Sequence, residues 1–236
     1  MSGTPAATRL QSSLLELQAR IAAAAAESGR EAGAVRLIAV TKGLPPESIQ
    51  QILRLGLVDH GENRPERLPE LALHFPPAER PRWHLIGHVQ SRKLRAALPL
   101  AACIQSIHSL ELLELVEARL QALGREIPCL VQVNVSGEAT KQGVDAAHLR
   151  PLIERAASCR HARVTGLMTM APIDAPVAVQ ARVFAAARAL RDGFATKDLP
   201  LKELSMGMSG DFEAAIREGA TMVRIGTALT HGAWEA

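Results

Sequence analysis

Short apolar runs rich in Val, Ile and Leu alternate along this chain with helical segments of about ten to fifteen residues. This alternation is typical of parallel βα units, in which each helix returns the chain to the start of the next strand. Candidate strands occupy residues 35–42, 58–62, 83–88, 103–108, 127–135, 164–170, 201–207 and 222–228. Candidate helices between them occupy residues 46–55, 64–73, 90–97, 109–123, 146–158, 177–191 and 211–218. Eight strands alternating with helices in 236 residues predict an α/β fold, a single closed (β/α)8 TIM-type barrel.

An additional helix is predicted before the first strand. Apolar residues recur there at helical spacing, at Leu10, Leu14, Leu17 and Ile21. The pattern indicates an amphipathic N-terminal helix, with Ser13 as its N-cap and Glu16 three residues later, and not a signal peptide. Since no apolar run has the length of a membrane span, we expect a cytoplasmic protein without a membrane partner.

An open doubly wound sheet is the alternative arrangement of the same units. That fold usually carries a glycine-rich fingerprint directly after its first strand. Here the first strand is followed by Thr41, Lys42, Gly43 and Leu44, so the fingerprint is missing. The barrel is therefore favoured.

Composition limits the chemistry that this chain can perform. It contains four Phe, two Trp and no Tyr, so no step can use a tyrosine phenol, and binding of single-stranded nucleic acid by aromatic stacking is disfavoured. A net charge of +3 could favour anionic small molecules but is too small to indicate a nucleic-acid partner. Cys103, Cys129 and Cys159 are widely spaced and predict neither a disulfide framework nor a zinc site. His84 and His88 could form half of a metal site, but no third ligand has suitable spacing, so no metal is expected.

Lys42 stands where the first strand ends, at the end of the barrel that carries the chemistry in this fold. A lysine at the mouth of an apolar barrel loses its proton more easily, because burial disfavours the ammonium. The uncharged amine can then form a Schiff base with a carbonyl group. The alternative is a solvated lysine at a strand end.

Small hydroxyl residues and glycines follow strands seven and eight, the two strands after which such barrels often bind phosphate. They are Ser205 and Gly207 after strand seven, and Gly226 and Thr227 after strand eight. The alternative is that both glycines only form tight turns. A phosphate site combined with a Schiff-base lysine points either to pyridoxal 5′-phosphate (PLP) or to a phosphorylated sugar as the substrate of an aldolase.

Seven short motifs occur in a fixed order from about residue 10 to residue 232. They are Ala39-Val-Thr-Lys42, Gly61-Glu-Asn63, Trp83-His-Leu-Ile-Gly87 with Gln90-Ser91 and Lys93, Val133-Asn-Val-Ser-Gly137 with Lys141 and Gly143, Gly166-Leu-Met168, Leu204-Ser-Met-Gly-Met-Ser209 and Arg224-Ile-Gly-Thr227. In these motifs the chain resembles the pyridoxal phosphate homeostasis protein family. It departs from the family at His60, Arg64, His88 and Gly210.

The resemblance implies that residues 1–236 form a single PLP-binding TIM-barrel domain, similar to the N-terminal domain of alanine racemase. It implies an aldimine on Lys42, a phosphate held by Ser205, Gly226 and Thr227, and Arg224 facing the pyridine nitrogen. The further pocket residues that it implies are Asn63, Met168 and Gly207. A guanidinium at the ring nitrogen disfavours protonation of that nitrogen, which makes the ring a poorer electron sink.

The function that the resemblance implies is a monomeric protein that holds PLP and delivers it to apo-enzymes, without efficient catalysis of its own. An amino-acid racemase on the same cofactor is the first alternative. In alanine racemase the second base is a tyrosine from a C-terminal domain; we expect neither here, so His84 or Cys103 would have to replace it. A Schiff-base aldolase acting on a sugar phosphate is the second alternative.

Overall fold

Eight parallel strands form a closed barrel in the computed structural model, which describes residues 5–135, 142–231 and 233. The strands are β1 Arg36–Val40, β2 Asp59–Glu62, β3 Arg82–Leu85, β4 Ala101–Ile107, β5 Ile127–Asn134, β6 Ala162–Met168, β7 Glu203–Ser205 and β8 Met222–Ile225. Each strand pairs in parallel with the next one in the chain, and β8 pairs with β1, which closes the barrel. The predicted (β/α)8 TIM-type fold is confirmed.

Helices surround the barrel and join successive strands. They are α1 Pro5–Glu27, α2 Pro46–Arg54, α3 Leu68–Ala72, α4 Ser91–Ala97, α5 Leu110–Leu123, α6 Leu149–Ala156, α7 Val177–Phe194, α8 Phe212–Arg217 and α9 Thr227–Thr230. Short 3-10 turns lie at Ala32–Ala34, Pro65–Arg67, Pro77–Glu79 and Ala146–His148. Every predicted helical segment therefore contains a helix, with boundaries that differ by a few residues.

Three local predictions differ from the structure. Ser13 lies inside α1, because the helix already includes residue 5, so this serine is not its N-cap. The last strand ends at Ile225, and the chain turns at Gly226 into α9, a short helix that the sequence did not indicate. A two-residue strand, Val144–Asp145, pairs with the end of β5 and was not predicted.

The predicted amphipathic face of α1 is buried. Leu10, Leu14, Leu17 and Ile21 are each at most 5% exposed. The helix packs against α8 and α9, which follow the last two strands. Arg20 fastens it there, because its guanidinium hydrogen-bonds Glu213 at 2.7 Å through Nε and lies 4.7 Å from the centre of the Phe212 ring. Among the residues described, no helix combines the length and apolar character needed to cross a membrane.

The barrel interior contains a small apolar layer, which we call the inner cluster: Ile38, Leu130, Met168 and Met222. The much larger hydrophobic core lies between the strands and the helices. Gly166 allows β6 and β7 to approach closely, since a Cβ on it would lie 1.9 Å from the carbonyl oxygen of Glu203. Side chains alternate across each strand, so residues two positions from the inner cluster also face inward.

Candidate cofactor site

Lys42 lies just beyond β1, at the rim formed by the carboxyl ends of the strands. Its neighbour Thr41 still pairs with β2, through an N–H bonded to the carbonyl of Gly61 at 3.1 Å. The alternation from Ile38 in the inner cluster through Val40 therefore assigns Lys42 to the inner side of the rim. The residue is exposed, so the burial expected from the sequence is not seen. Its amine makes no hydrogen bond or ion pair with the residues described.

A buried carboxylate holds the two loops beside Lys42. Glu62, fully buried at the end of β2, accepts hydrogen bonds from the backbone N–H groups of Asn63 at 2.8 Å and Arg64 at 2.9 Å. It also forms an ion pair with Arg67 at 2.8 Å. Arg67 donates a second bond, of 3.0 Å, to the carbonyl of Leu44, in the loop that follows Lys42. This clamp was not predicted from the sequence, although Glu62 is the middle residue of one of the seven motifs.

Arg224 points from β8 into the barrel and is only 3% exposed. Its Nη1 donates to the hydroxyl of Ser205 at 2.7 Å, and its Nη2 donates to the carbonyl of Thr169 at 3.0 Å. Burial lowers the pKa of Arg224 to about 10, against the attraction of the nearby Asp211 carboxylate. The group therefore remains a cation at neutral pH. Within the described part of the chain it forms no ion pair with a carboxylate, and three of its five N–H donors have no acceptor.

Ser209 contacts the turn between β8 and α9. Its hydroxyl oxygen accepts from the backbone N–H groups of Gly226 at 3.3 Å and Ala228 at 3.2 Å. Two backbone donors thus converge on one oxygen beside Thr227, which is exposed. Ser209 belongs to one of the seven motifs but was not predicted as a site residue. The hydroxyl residue two positions after Gly207 was the available signal.

The eight predicted site residues do not share one environment. Ser205 is fully buried, and its hydroxyl donates to Gln105 at 2.6 Å while it accepts from Arg224. Met168 belongs to the inner cluster, beneath the rim. Gly207 forms the turn into α8 with φ +95°, and a Cβ on it would lie 2.7 Å from that of Ala215.

Asn63 is half-buried at the rim. The backbone of the next loop crosses directly over it, because a Cβ on Gly87 would lie 2.3 Å from the carbonyl oxygen of Asn63. The structure thus brings Arg224 and Ser205 into contact inside the barrel and leaves Lys42, Asn63, Gly226 and Thr227 at the rim. Part of the motif after β5 lies outside the described residues, namely Ser136, Gly137 and Lys141.

Neither candidate for a second base has the environment that such a base needs. Burial raises the pKa of the Cys103 thiol to about 12. His84 is buried inside the barrel, where Asp59 contacts one ring nitrogen at 2.9 Å and Gln105 the other at 3.0 Å. His88 lies against His108 instead, with ring centres 4.5 Å apart. The described residues contain no group of three or more His, Cys, Asp or Glu side chains that could hold a metal ion.

A family model for the N-terminal domain of alanine racemase matches residues 13–233. The pyridoxal phosphate homeostasis protein of Pseudomonas aeruginosa is 39% identical over 226 residues, which cover 92% of this chain and 92% of that protein. The chain belongs to the pyridoxal phosphate homeostasis protein family. The resemblance that the seven motifs indicated is confirmed.

Solved structures agree with this family assignment. PipY from Synechococcus elongatus, solved with PLP bound, is 33% identical with a TM-score of 0.79, over 84% of this chain and 92% of that one. Alanine racemase from Bartonella henselae, solved with covalently bound PLP, has a TM-score of 0.70 at 17% identity. That match covers 94% of this chain and 58% of the racemase, and at this identity the likeness shows the fold alone.

Proposed function

We propose that this protein binds PLP and takes part in PLP homeostasis, holding the cofactor and releasing it to apo forms of PLP-dependent enzymes. The names of its relatives and the PLP in the PipY structure support this proposal. The observation that carries it is Arg224: a buried cation with unused N–H donors needs an acceptor in the barrel. The uncharged pyridine nitrogen of PLP is such an acceptor.

Arg224 also favours a protein that holds PLP over an enzyme that uses PLP in catalysis. A guanidinium can only donate, so it favours the unprotonated form of the ring nitrogen. A ring in that form withdraws electrons weakly, which makes carbanion chemistry on the cofactor inefficient. This consequence requires that Arg224 faces the ring nitrogen and carries a charge, and its pKa of about 10 keeps that charge at neutral pH.

Lys42 is the amine that we assign to the covalent link. When bound, PLP supplies an aldehyde that condenses with an uncharged primary amine, with loss of one water molecule. The exposure of Lys42 at the rim fits a protein that must also release its cargo. Water or a second amine can reach an exposed link and break it, whereas a closed active site would exclude them.

The phosphate is assigned to the turn before α9. The backbone N–H groups of Gly226 and Ala228 already converge on the Ser209 hydroxyl, and Thr227 adds a second hydroxyl there. Backbone donors of this kind suit a phosphate oxygen. Ser205, whose hydroxyl is engaged by Gln105 and Arg224, serves the cofactor through Arg224 in this proposal. In this proposal Met168 forms the floor of the cofactor pocket, Gly207 forms one wall of it, and Asn63 lies at its rim.

We propose no efficient turnover of amino acids. The chain has no Tyr, Cys103 has a raised pKa, and both ring nitrogens of His84 are engaged inside the barrel. The assembly proposed is a monomer in which residues 1–236 act as one PLP-binding barrel domain. All eight barrel strands, from Arg36 to Ile225, belong to one closed sheet, which supports that domain assignment.

A substitution of Lys42 tests the proposal that this protein binds PLP covalently. The purified protein is supplied with PLP, and the bound aldehyde is followed by its visible absorbance and trapped with borohydride, after which the modified peptide is mapped. We expect modification on Lys42 and loss of the covalent band in Lys42→Ala. Lys202→Ala is the matched control, because Lys202 is also exposed but precedes β7, at the opposite end of the barrel. A protein that takes up no PLP would overturn the proposal.

Activity measurements separate the alternatives. Alanine and serine enantiomers are incubated with the loaded protein, and rapid loss of optical rotation would contradict a holding role. Trapping of a sugar phosphate by borohydride in place of PLP would indicate an aldolase. Transfer is tested by adding an apo-enzyme, whose regained activity should follow the loss of absorbance from this protein.

A further inference from the structure

A continuous chain of hydrogen bonds crosses the barrel interior from its amino end to the proposed cofactor site. It passes through six side chains, in the order Arg82, Asp59, His84, Gln105, Ser205 and Arg224. Its links measure 2.5, 2.9, 3.0, 2.6 and 2.7 Å in that order. All six members except Arg82 are at most 6% exposed. Such a buried polar chain is costly unless every member is satisfied, so its presence needs an explanation.

The donors and acceptors in this chain have one consistent order. Arg224 donates to the Ser205 oxygen, and Ser205 gives its single proton to the amide oxygen of Gln105. The Gln105 amide nitrogen then faces Nδ1 of His84, which must accept. That leaves the His84 proton on Nε2, where it is donated to Asp59. Each link fixes the orientation of the next.

The far end of the chain is anchored by a charged carboxylate. Burial tends to raise the pKa of Asp59, but the hydrogen bonds from His84 and Arg82 outweigh it and hold that pKa below its ordinary value. Asp59 is therefore an anion at neutral pH and selects the His84 tautomer. A cavity of about 240 Å³ lies at this end, lined in part by Arg36, Asp59, Arg82 and Glu203.

We propose that Gln105 and His84 are positioning residues that fix the Arg224 guanidinium for the cofactor ring. They hold the Ser205 oxygen as an acceptor for Nη1, while the Thr169 carbonyl holds Nη2. The remaining N–H donors are thereby fixed in direction. This inference rests on the proposed function, since it assumes that Arg224 binds the pyridine nitrogen. Neither positioning residue needs to touch PLP.

The chain of hydrogen bonds predicts that substitutions far from the rim change the affinity for PLP. Gln105→Leu removes two links and should weaken PLP binding about tenfold, the usual effect of losing support for a charged donor. His84→Leu should have a similar effect. His84→Asn should restore most of the affinity, because its amide oxygen can replace Nδ1 as the acceptor for Gln105. Thr165→Val is the control, since it removes a hydroxyl on β6 that has no hydrogen-bond partner.

Two readouts test the inference. The first is the absorbance maximum and Kd of bound PLP in each variant, which report contact with the ring nitrogen. The second uses the protein without PLP: the guanidinium resonances of Arg224, identified by their loss in Arg224→Gln, are compared between wild type and Gln105→Leu. We expect these resonances to shift or broaden in Gln105→Leu and in His84→Leu, and to stay in place in Thr165→Val.

The outcomes separate this inference from the proposed function. If wild type takes up no PLP, the proposed function fails first. If wild type binds PLP but Gln105→Leu and His84→Leu bind it equally well with unmoved Arg224 resonances, only the positioning inference is overturned. If Gln105→Leu fails to fold, the comparison of His84→Leu with His84→Asn decides. Equal affinities in those two variants would contradict a role for the Nδ1 acceptor.

Discussion

His60 is a fully buried histidine directly before the motif Gly61-Glu-Asn63, next to the candidate site. Burial lowers its pKa to about 4, against the hydrogen bond to the Leu57 carbonyl at 2.8 Å. The ring packs edge-on against Trp83, with centres 5.7 Å apart. His60 therefore stays neutral in the folded protein under conditions in which an unfolded chain would begin to protonate it.

This histidine predicts a specific loss of stability in acid. Between its unfolded pKa of about 6.5 and its folded pKa of about 4, the unfolded chain binds more protons, so stability falls as pH falls through that window. The loss attributable to His60 should be about 2 kcal/mol at pH 5. His60→Phe should flatten the dependence of the unfolding free energy on pH, measured with urea between pH 7 and pH 5. The exposed His74→Phe serves as control, and an unchanged slope in His60→Phe would contradict the assignment.

Local sequence predicted where Lys42 lies, because it stands at the end of an apolar strand and the structure has it at the rim. Local sequence did not separate Ser205 from Ser209, because one motif contains both serines and only the turn at Gly207 separates their directions. Ser205 precedes that turn inside the barrel, and Ser209 follows it beside α9.

Glycines control how closely neighbouring elements approach in this barrel. Gly166 on β6 lies against the backbone of β7, where a Cβ would meet the Glu203 carbonyl oxygen at 1.9 Å. Gly193 lies in α7, and a Cβ there would meet nothing within 4 Å. The same substitution should therefore have opposite effects in the strand and in the helix.

Gly166→Ala should destabilise the protein by about 1–3 kcal/mol or more, because a backbone atom of β7 must move. Gly193→Ala should instead stabilise it by up to about 1 kcal/mol through better helix propensity. Urea unfolding of both variants beside wild type measures the difference. Equal stabilities of the two variants would mean that β6 and β7 do not approach as closely as the structure has them.

Elements were predicted well in type and less well at their ends. Ser109, the first residue of a predicted helical segment, caps α5, and its hydroxyl accepts from the N–H of Leu112 at 3.1 Å. Ser13 has the same cap pattern but lies inside α1, because the helix continues past it on both sides. A local N-cap pattern does not show where a helix begins when packing against α8 and α9 extends the helix.

For the whole molecule, ligand binding should appear as global stabilisation. A ligand that binds the folded state at one hundred times its Kd adds about 2.7 kcal/mol to the free energy of unfolding. For a chain of this size each kcal/mol raises the Tm by about 2–4 °C. Saturating PLP should therefore raise the Tm of wild type by about 5–10 °C.

Two lysine variants test whether the rise in Tm depends on PLP bound at Lys42. Lys42→Ala should lose most of the shift, while Lys202→Ala should keep it, since Lys202 lies before β7 at the other end of the barrel. Scanning calorimetry at several PLP concentrations measures both. A Tm independent of PLP in wild type would contradict the proposed cofactor.

The sequence by itself determined the alternation of strands and helices, the closed barrel, and the presence of a lysine just after its first strand and an arginine on its last. Hydrophobic periodicity and the succession of elements along the chain are local properties, so one amino-acid sequence is enough to predict them. The tertiary structure alone decided which side chains meet. Ser205 and Gln105 are 100 positions apart, and His84 and Asp59 are 25 apart. Such contacts depend on the register of the strands around the barrel, which local pattern does not encode.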